Sequence, residues 1–235
     1  MVLHFTSSRL VPFTVNMSKI MKLSAINFVV NLAYACVDTI WAIYLNSFVN
    51  NPAYVGFIVS GFSLAAVISY FLLVPIIEKY DEKKLLGYSM IAAMTAYFMF
   101  AIVENYYAVL AISLFVTVFY VMRNISLGIL VRDESKMKEL NKNEGLISTL
   151  VNMGWLAGPL LGGFMSEQYG INRVFMLSAI FMMMAFFMLR SMNVRRIRKP
   201  KEIDQDFFRN VKSFFSNRQF VRMYILCGSS SIWWA

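Results

Sequence analysis

Long stretches without a single charge dictate what this chain can fold into. Residues 54–77, 85–103 and 145–166 carry no Asp, Glu, Lys or Arg. Crossing the hydrocarbon of a bilayer as a helix takes about 20 apolar residues, so each run has membrane dimensions. Residues 174–189 form a shorter run, but Arg173 and Arg190 at its ends can snorkel outward. Two further runs each hold one charge near the middle: 23–49 contains Asp38 and 106–131 contains Arg123. A strand reading fails, because the runs are too long and do not alternate with period two. The sequence therefore predicts an all-α integral membrane protein with six spans (residues 23–192). The start of a seventh follows at 219–235 and is still apolar at the final "SSSIWWA". Composition agrees: 59% hydrophobic and 15% charged, where soluble domains hold about 45–50% and about 25%.

Lys and Arg set the expected orientation. Arg9, Lys19 and Lys22 precede the first span, and "NSFVNNPAY" after it has none. "EKYDEKK" is basic and "ENYY" is bare. Residues 132–144 hold four basic residues and the next connection only Arg173, before a strongly basic stretch follows span six. Basic and bare connections alternate, so the 1–22 tail and the 193–218 linker are expected on the cytoplasmic side of a cell membrane. The net charge of +9 is mostly this bias and does not argue for nucleic acid. Within the linker, "FFRNVKSFF" puts Phe207, Phe208, Val211, Phe214 and Phe215 on one helical face. That pattern fits an amphipathic helix on the membrane surface, as a connection between two membrane halves or as a plain anchor.

Few enzyme chemistries remain open. The single His, His4, lies in the N-terminal tail, so neither a Ser-His-Asp triad nor a His-based metal site is expected within the membrane. No phosphate-binding loop with its Lys occurs, and no cofactor is expected. The N-terminal "MVLHFTSSRLVPFTVN" lacks the compact apolar core of a signal peptide, and Met17 and Met21 are alternative starts. Cys36 and Cys227 both fall in apolar segments and read as small buried side chains.

Polar residues inside the spans are the candidate functional groups. A charge at mid-helix costs roughly 2.5–3.5 kcal/mol on insertion scales, so such residues usually face protein or water. Asn27, Asn31 and Asp38 lie within about 40° of one another around the first helix. Span four carries Thr117, Tyr120, Arg123 and Asn124, and span five carries Ser148 and Asn152. Together they predict a polar cavity between spans one, four and five. Helical rise puts Asp38 and Arg123 about 4–11 Å apart in depth, which allows direct pairing. The alternatives are snorkelling of Arg123 to the inner surface and a structural hydrogen bond for Asp38.

Two weak signals point to an internal repeat. Glu78 and Tyr80 match Glu167 and Tyr169 across a spacing of 89, following spans two and five. The two copies fall on opposite sides of the membrane, so the bundle is expected to consist of two inverted three-helix repeats, an arrangement found in secondary transporters.

With these residues in place, the chain resembles the N-terminal half of a major facilitator superfamily transporter from about Leu23 onward. Gly145, Gly154, Gly158, Pro159, Gly162 and Gly163 fit the family's antiporter motif, G-x8-G-x3-G-P-x2-G-G, at every spacing. Where the family carries G-x-x-x-D-R-x-G-R-K after span two, the chain reads Val74, Glu78, Lys79, Asp81, Glu82 and Lys83, so the acid and first base survive in kind and both glycines are lost. Arg123 matches the family's span-four Arg, with Gly128 one residue late.

The resemblance implies a secondary transporter working by alternating access, with a small-molecule substrate and protons as the coupling ion. Asp38 would carry the proton, and Arg123 would tune it or engage the substrate. The Gly154–Gly158–Gly162 stripe would pack across the interface between two halves, where plain tight helix packing is the alternative. Glu78, Lys79, Asp81 and Lys83 would form a cytoplasmic gating loop. A full member has about twelve spans, so the sequence is expected to lack a C-terminal half. Drug–proton efflux is the leading expectation. Import of sugars or other metabolites, and a transport-inactive scaffold or sensor on the same fold, are the alternatives.

Overall fold

A computed structural model describes residues 14–77, 80–136, 138–192, 215–219 and 221–222. The last two groups belong to a separate unit, 198–235, with helical residues at 215–216, 218–219 and 221–222. Most of the expected linker helix and seventh span lies outside the described residues.

Among the described residues, six helices follow in order: α1 (Thr14–Val49), α2 (Pro52–Ile77), α3 (Glu82–Phe100), α4 (Tyr106–Glu134), α5 (Leu140–Tyr169) and α6 (Ile171–Ser191). Five are long and apolar enough to cross a membrane. The exception is α3, whose 19 residues begin Glu82-Lys83-Lys84. Its apolar part is correspondingly short, although it occupies the place expected of span three. Helix α1 begins well before the expected span boundary, because Lys19 and Lys22 end the apolar window without ending the backbone helix.

Local chemistry explains the breaks. Asn50 adopts φ 49°, and Asn51 Oδ1 accepts from Ala53 N at 3.0 Å as Pro52 opens α2. Asp81 caps α3 by accepting from Lys84 N, and Asn105 caps α4 by accepting from Tyr107 N and Ala108 N. Gly170 separates α5 from α6 at φ 85° and ψ 161°, a region open essentially to glycine alone.

The core is built around α1, of whose apolar window 72% is buried, against 11% for α2 and 22% for α5. Helix α1 packs on α5 and α6, α4 packs on α2 and α3, and α3 also packs on α6. Exchanging helices 1–3 with 4–6 leaves this pairing unchanged. At one end, α1, α3 and α6 meet in an aromatic cluster: Phe175 lies 4.8 Å from the Tyr44 ring and 5.4 Å from that of Phe100, and Tyr44 Oη donates to Phe100 O. The outer faces of α2 and α5 present Phe57, Leu72, Leu156 and Leu160 at 63–76% exposure. Apolar faces that open suit lipid or a second apolar surface.

Candidate functional site

Helices α1 to α4 line an open cavity of about 330 Å³, to which α5 adds only Trp155. This corrects the expected place between spans one, four and five. The helix pairs α1·α4 and α4·α5 touch little, and α2 and α3 supply the intervening walls. The lining is more aromatic than polar. Tyr34 and Trp41 come from α1, Phe62 from α2, Tyr97 and Phe100 from α3, and Tyr120 from α4. Among the lining residues Asp38 is the single charged group, joined by the hydroxyls of Ser63, Ser113 and Thr117.

Asp38 is exposed into this space. Tyr34 and Trp41 stand four residues before it and three after, hence on the same helical face. That spacing was legible in the sequence: aromatic residues one turn on either side of an intramembrane acid mark the wall of its cavity.

Arg123 is 5% exposed and does not snorkel to a surface. Its guanidinium lies 5.0 Å from the Tyr34 ring centroid and 5.4 Å from that of Tyr120. Those rings meet edge-to-face at 5.1 Å. Nε and Nη2 both donate to Asn124 Oδ1, at 3.2 and 2.7 Å, while Nη1 is buried with no partner among the described residues. Asn124 Nδ2 reaches the Tyr70 hydroxyl at 3.4 Å. Arg123 and Asp38 form no ion pair among the described residues. Both tyrosines line the cavity and Arg123 does not, so the cation bears on it through two rings.

The remaining polar candidates separate by depth. Asn27 and Asn31 are buried, with Asn31 Nδ2 donating to Asn27 O at 2.7 Å and Trp155 Nε1 donating to Asn31 Oδ1 at 3.3 Å. They tie α1 to itself and to α5. Asn152 is exposed and, like Asn27 and Asn31, lies outside the cavity lining.

The glycine stripe meets α1 of the same bundle rather than a second half. An ideal Cβ on Gly154 would lie 3.1 Å from Phe28 O, one on Gly158 would overlap the Ala35 Cβ, and one on Gly162 would reach Cys36 O at 2.6 Å. Gly145 and Gly163 have open space where a Cβ would stand, and Pro159 is exposed. The motif thus divides into a buried face against α1 and an outward face. In the loop after α2, Glu78 and Lys79 lie outside the described residues. Asp81 is spent as the α3 cap, and Lys83 donates to the Met192 carbonyl at the end of α6.

The family profile described as Major Facilitator Superfamily matches residues 23–235. Quinolone resistance protein NorA of Staphylococcus aureus (strain MRSA252) is 27% identical over 147 residues, covering 60% of this chain and 36% of that protein; the protein from strain Mu50 matches to the same extent. A crystal structure of the peptide transporter POT in complex with sulfate aligns with TM-score 0.67 at 13% identity, covering 88% of this chain and 45% of that one. The same transporter's E310Q mutant in complex with alafosfalin aligns with TM-score 0.68, also at 13% identity, covering 89% and 46%. The chain thus spans little more than a third of the curated relatives it matches and under half of the structural neighbours.

Proposed function

The chain belongs to the major facilitator superfamily, and from that premise we propose that it works in a secondary transporter that exports a small molecule in exchange for protons. The observation that carries the proposal is the cavity itself: about 330 Å³, walled by aromatic rings and holding one carboxylate, Asp38. Aromatic faces and a carboxylate favour a flat, apolar or cationic guest, because a cation is attracted to ring faces and is neutralised by the acid. A proton and a cationic substrate would then compete for Asp38, which is the minimum requirement for exchange. Similarity to a quinolone resistance protein supports export of aromatic compounds over import of sugars.

A second six-helix bundle would complete the path. The exposed apolar faces of α2 and α5, with the outward part of the glycine motif, suit that contact. Alternating access would arise as two bundles rock about the shared cavity. The N-terminus would lie in the cytoplasm, as the Lys and Arg distribution favours. Arg123 would hold Tyr34 and Tyr120 in place and lend the cavity wall positive potential.

The test is flux in proteoliposomes carrying the complete polypeptide, with a pH gradient imposed and a cationic aromatic dye as substrate. Wild type should move dye against its gradient only while the proton gradient lasts. Asp38→Asn should retain fold and lose the gradient-driven component. Undiminished gradient-driven flux in that variant would refute the assignment of Asp38, and flux indifferent to the gradient in wild type would refute proton coupling.

A further inference from the structure

Where α3 begins and α6 ends, the two helices part around a second cavity of about 480 Å³. Its rim is basic, with Lys83 and Lys84 from the first turn of α3 and Arg190 from the last turn of α6. Its floor is apolar and comprises Gly87, Ile91, Phe186 and Leu189.

The charges on this rim are not equivalent. Asp81, the acid among the lining residues, is engaged as the α3 cap by accepting from Lys84 N at 2.9 Å. Lys83 is half-buried and donates to the Met192 carbonyl, fastening the start of α3 to the end of α6. Lys84 and Arg190 are exposed, and neither side chain has an ion pair or hydrogen bond among the described residues. The rim therefore offers two uncommitted cations.

The surroundings specify what those cations meet. Tyr88, Ile91 and Phe187 on the adjoining outer faces of α3 and α6 are exposed, so this side of the bundle turns toward acyl chains in a membrane. A basic rim at the charged helix ends, above an apolar trough that runs toward the bilayer interior, matches a molecule with an anionic head and a hydrocarbon tail. A free anion would use the rim and have no use for the floor. Gly87 keeps the floor open: a Cβ there would meet Phe186 at 3.6 Å, so any side chain beyond Ala would occupy the trough.

We propose that this cavity between α3 and α6 binds an anionic phospholipid, with its phosphate on Lys84 and Arg190 and one acyl chain along Gly87, Ile91 and Phe186. Basic pockets between membrane helices suit such headgroups. The site is independent of the substrate cavity and of the transport reading.

Native mass spectrometry tests it on the purified chain, with phosphatidylglycerol and phosphatidylcholine supplied at equal concentration. Wild type should retain phosphatidylglycerol preferentially. The double variant Lys84→Gln/Arg190→Gln removes two exposed, unpaired charges and should lower that preference by roughly tenfold or more. Gly87→Leu should displace the tightest-held phosphatidylglycerol while leaving both cations in place. Equal retention of the two lipids by wild type, or an unchanged preference in the double variant, would overturn the proposal. Displacement of phosphatidylglycerol by an equal concentration of inorganic phosphate would also overturn it, by making the rim a free-anion site.

Discussion

Gly162 of α5 meets Cys36 of α1 backbone to backbone: a Cβ on Gly162 would stand 2.6 Å from the Cys36 carbonyl oxygen and 2.9 Å from its Cα. Lipid tails supply no hydrophobic drive toward helix association, so close van der Waals contact has to hold such a pair together. Gly154 and Gly158 extend the contact toward Phe28 and Ala35. Small residues at i, i+4 and i+8 turn one side of α5 into a flat face for the most buried helix of the bundle.

Alanine substitution should therefore divide the motif in two. Gly162→Ala and Gly158→Ala must push α5 off α1 and should cost about 1–3 kcal/mol, as other overpacked cores do. Gly145→Ala and Gly163→Ala meet open space and should be neutral or stabilising by up to about 1 kcal/mol through helix propensity. Thermal unfolding in detergent reads both. A Gly162→Ala melting point no lower than that of Gly163→Ala would show that the α1–α5 contact is not this close.

Arg123 should be energetically coupled to Tyr34. The guanidinium lies over that ring while buried from water, where a cation–π contact contributes about 2 kcal/mol, against 0.5–1 kcal/mol at a surface. A cycle of Arg123→Gln, Tyr34→Leu and the double variant should give a coupling of about 1–2 kcal/mol in unfolding free energy. Additive effects would mean that the two groups are neighbours without interacting. Arg123→Lys should recover little, because an ammonium cannot present two N–H groups to Asn124 Oδ1 from one plane.

The number and order of the six helices among the described residues were legible because charge-free length converts directly into membrane span. Partners were not. The spacing of Gly154, Gly158 and Gly162 says that one face of α5 is smooth and says nothing of what lies on it; α1 does. Asn27, Asn31 and Asp38 do share a face by helical angle, yet Trp155 of α5 donates to Asn31, whose Nδ2 in turn donates to Asn27, while Asp38 opens into the cavity. Position along the axis sorts them, and periodicity within one helix carries no information about where a neighbour stops. Arg123 and Asp38 fail to pair for a related reason. Two tyrosines, Tyr34 and Tyr120, occupy the space beside the cation, and depth estimates along separate helices do not reveal an intervening ring.

Lys19 and Glu134 join the early part of α1 to the last turn of α4, with Nζ 2.9 and 3.2 Å from the two carboxylate oxygens. The pair is asymmetric: the Lys19 side chain is 26% exposed and that of Glu134 only 4%. Losing the acid leaves a cation that can turn to water, whereas losing the base strands a buried carboxylate. Lys19→Met should therefore destabilise the bundle by about 1–3 kcal/mol, and Glu134→Gln by clearly less. The order of the two melting points is the test. The reverse order would mean that Glu134 reaches water once released and that the contact does little to hold α1 to α4.

Ala66 of α2 lines the cavity around Asp38 with a side chain too small to fill it. In Ala66→Trp an indole would project into a space of about 330 Å³, taking room a flat guest needs and adding no charge. Binding of a cationic aromatic dye, followed by fluorescence anisotropy, should weaken at least tenfold, or about 1.4 kcal/mol. Leu64→Trp is the matched control, since Leu64 is 62% exposed and is not among the lining residues. It introduces the same ring on the same helix and should leave affinity unchanged. Equal affinities for the two variants would place the dye elsewhere on the protein and remove the cavity from the transport path, whatever the fate of Asp38→Asn.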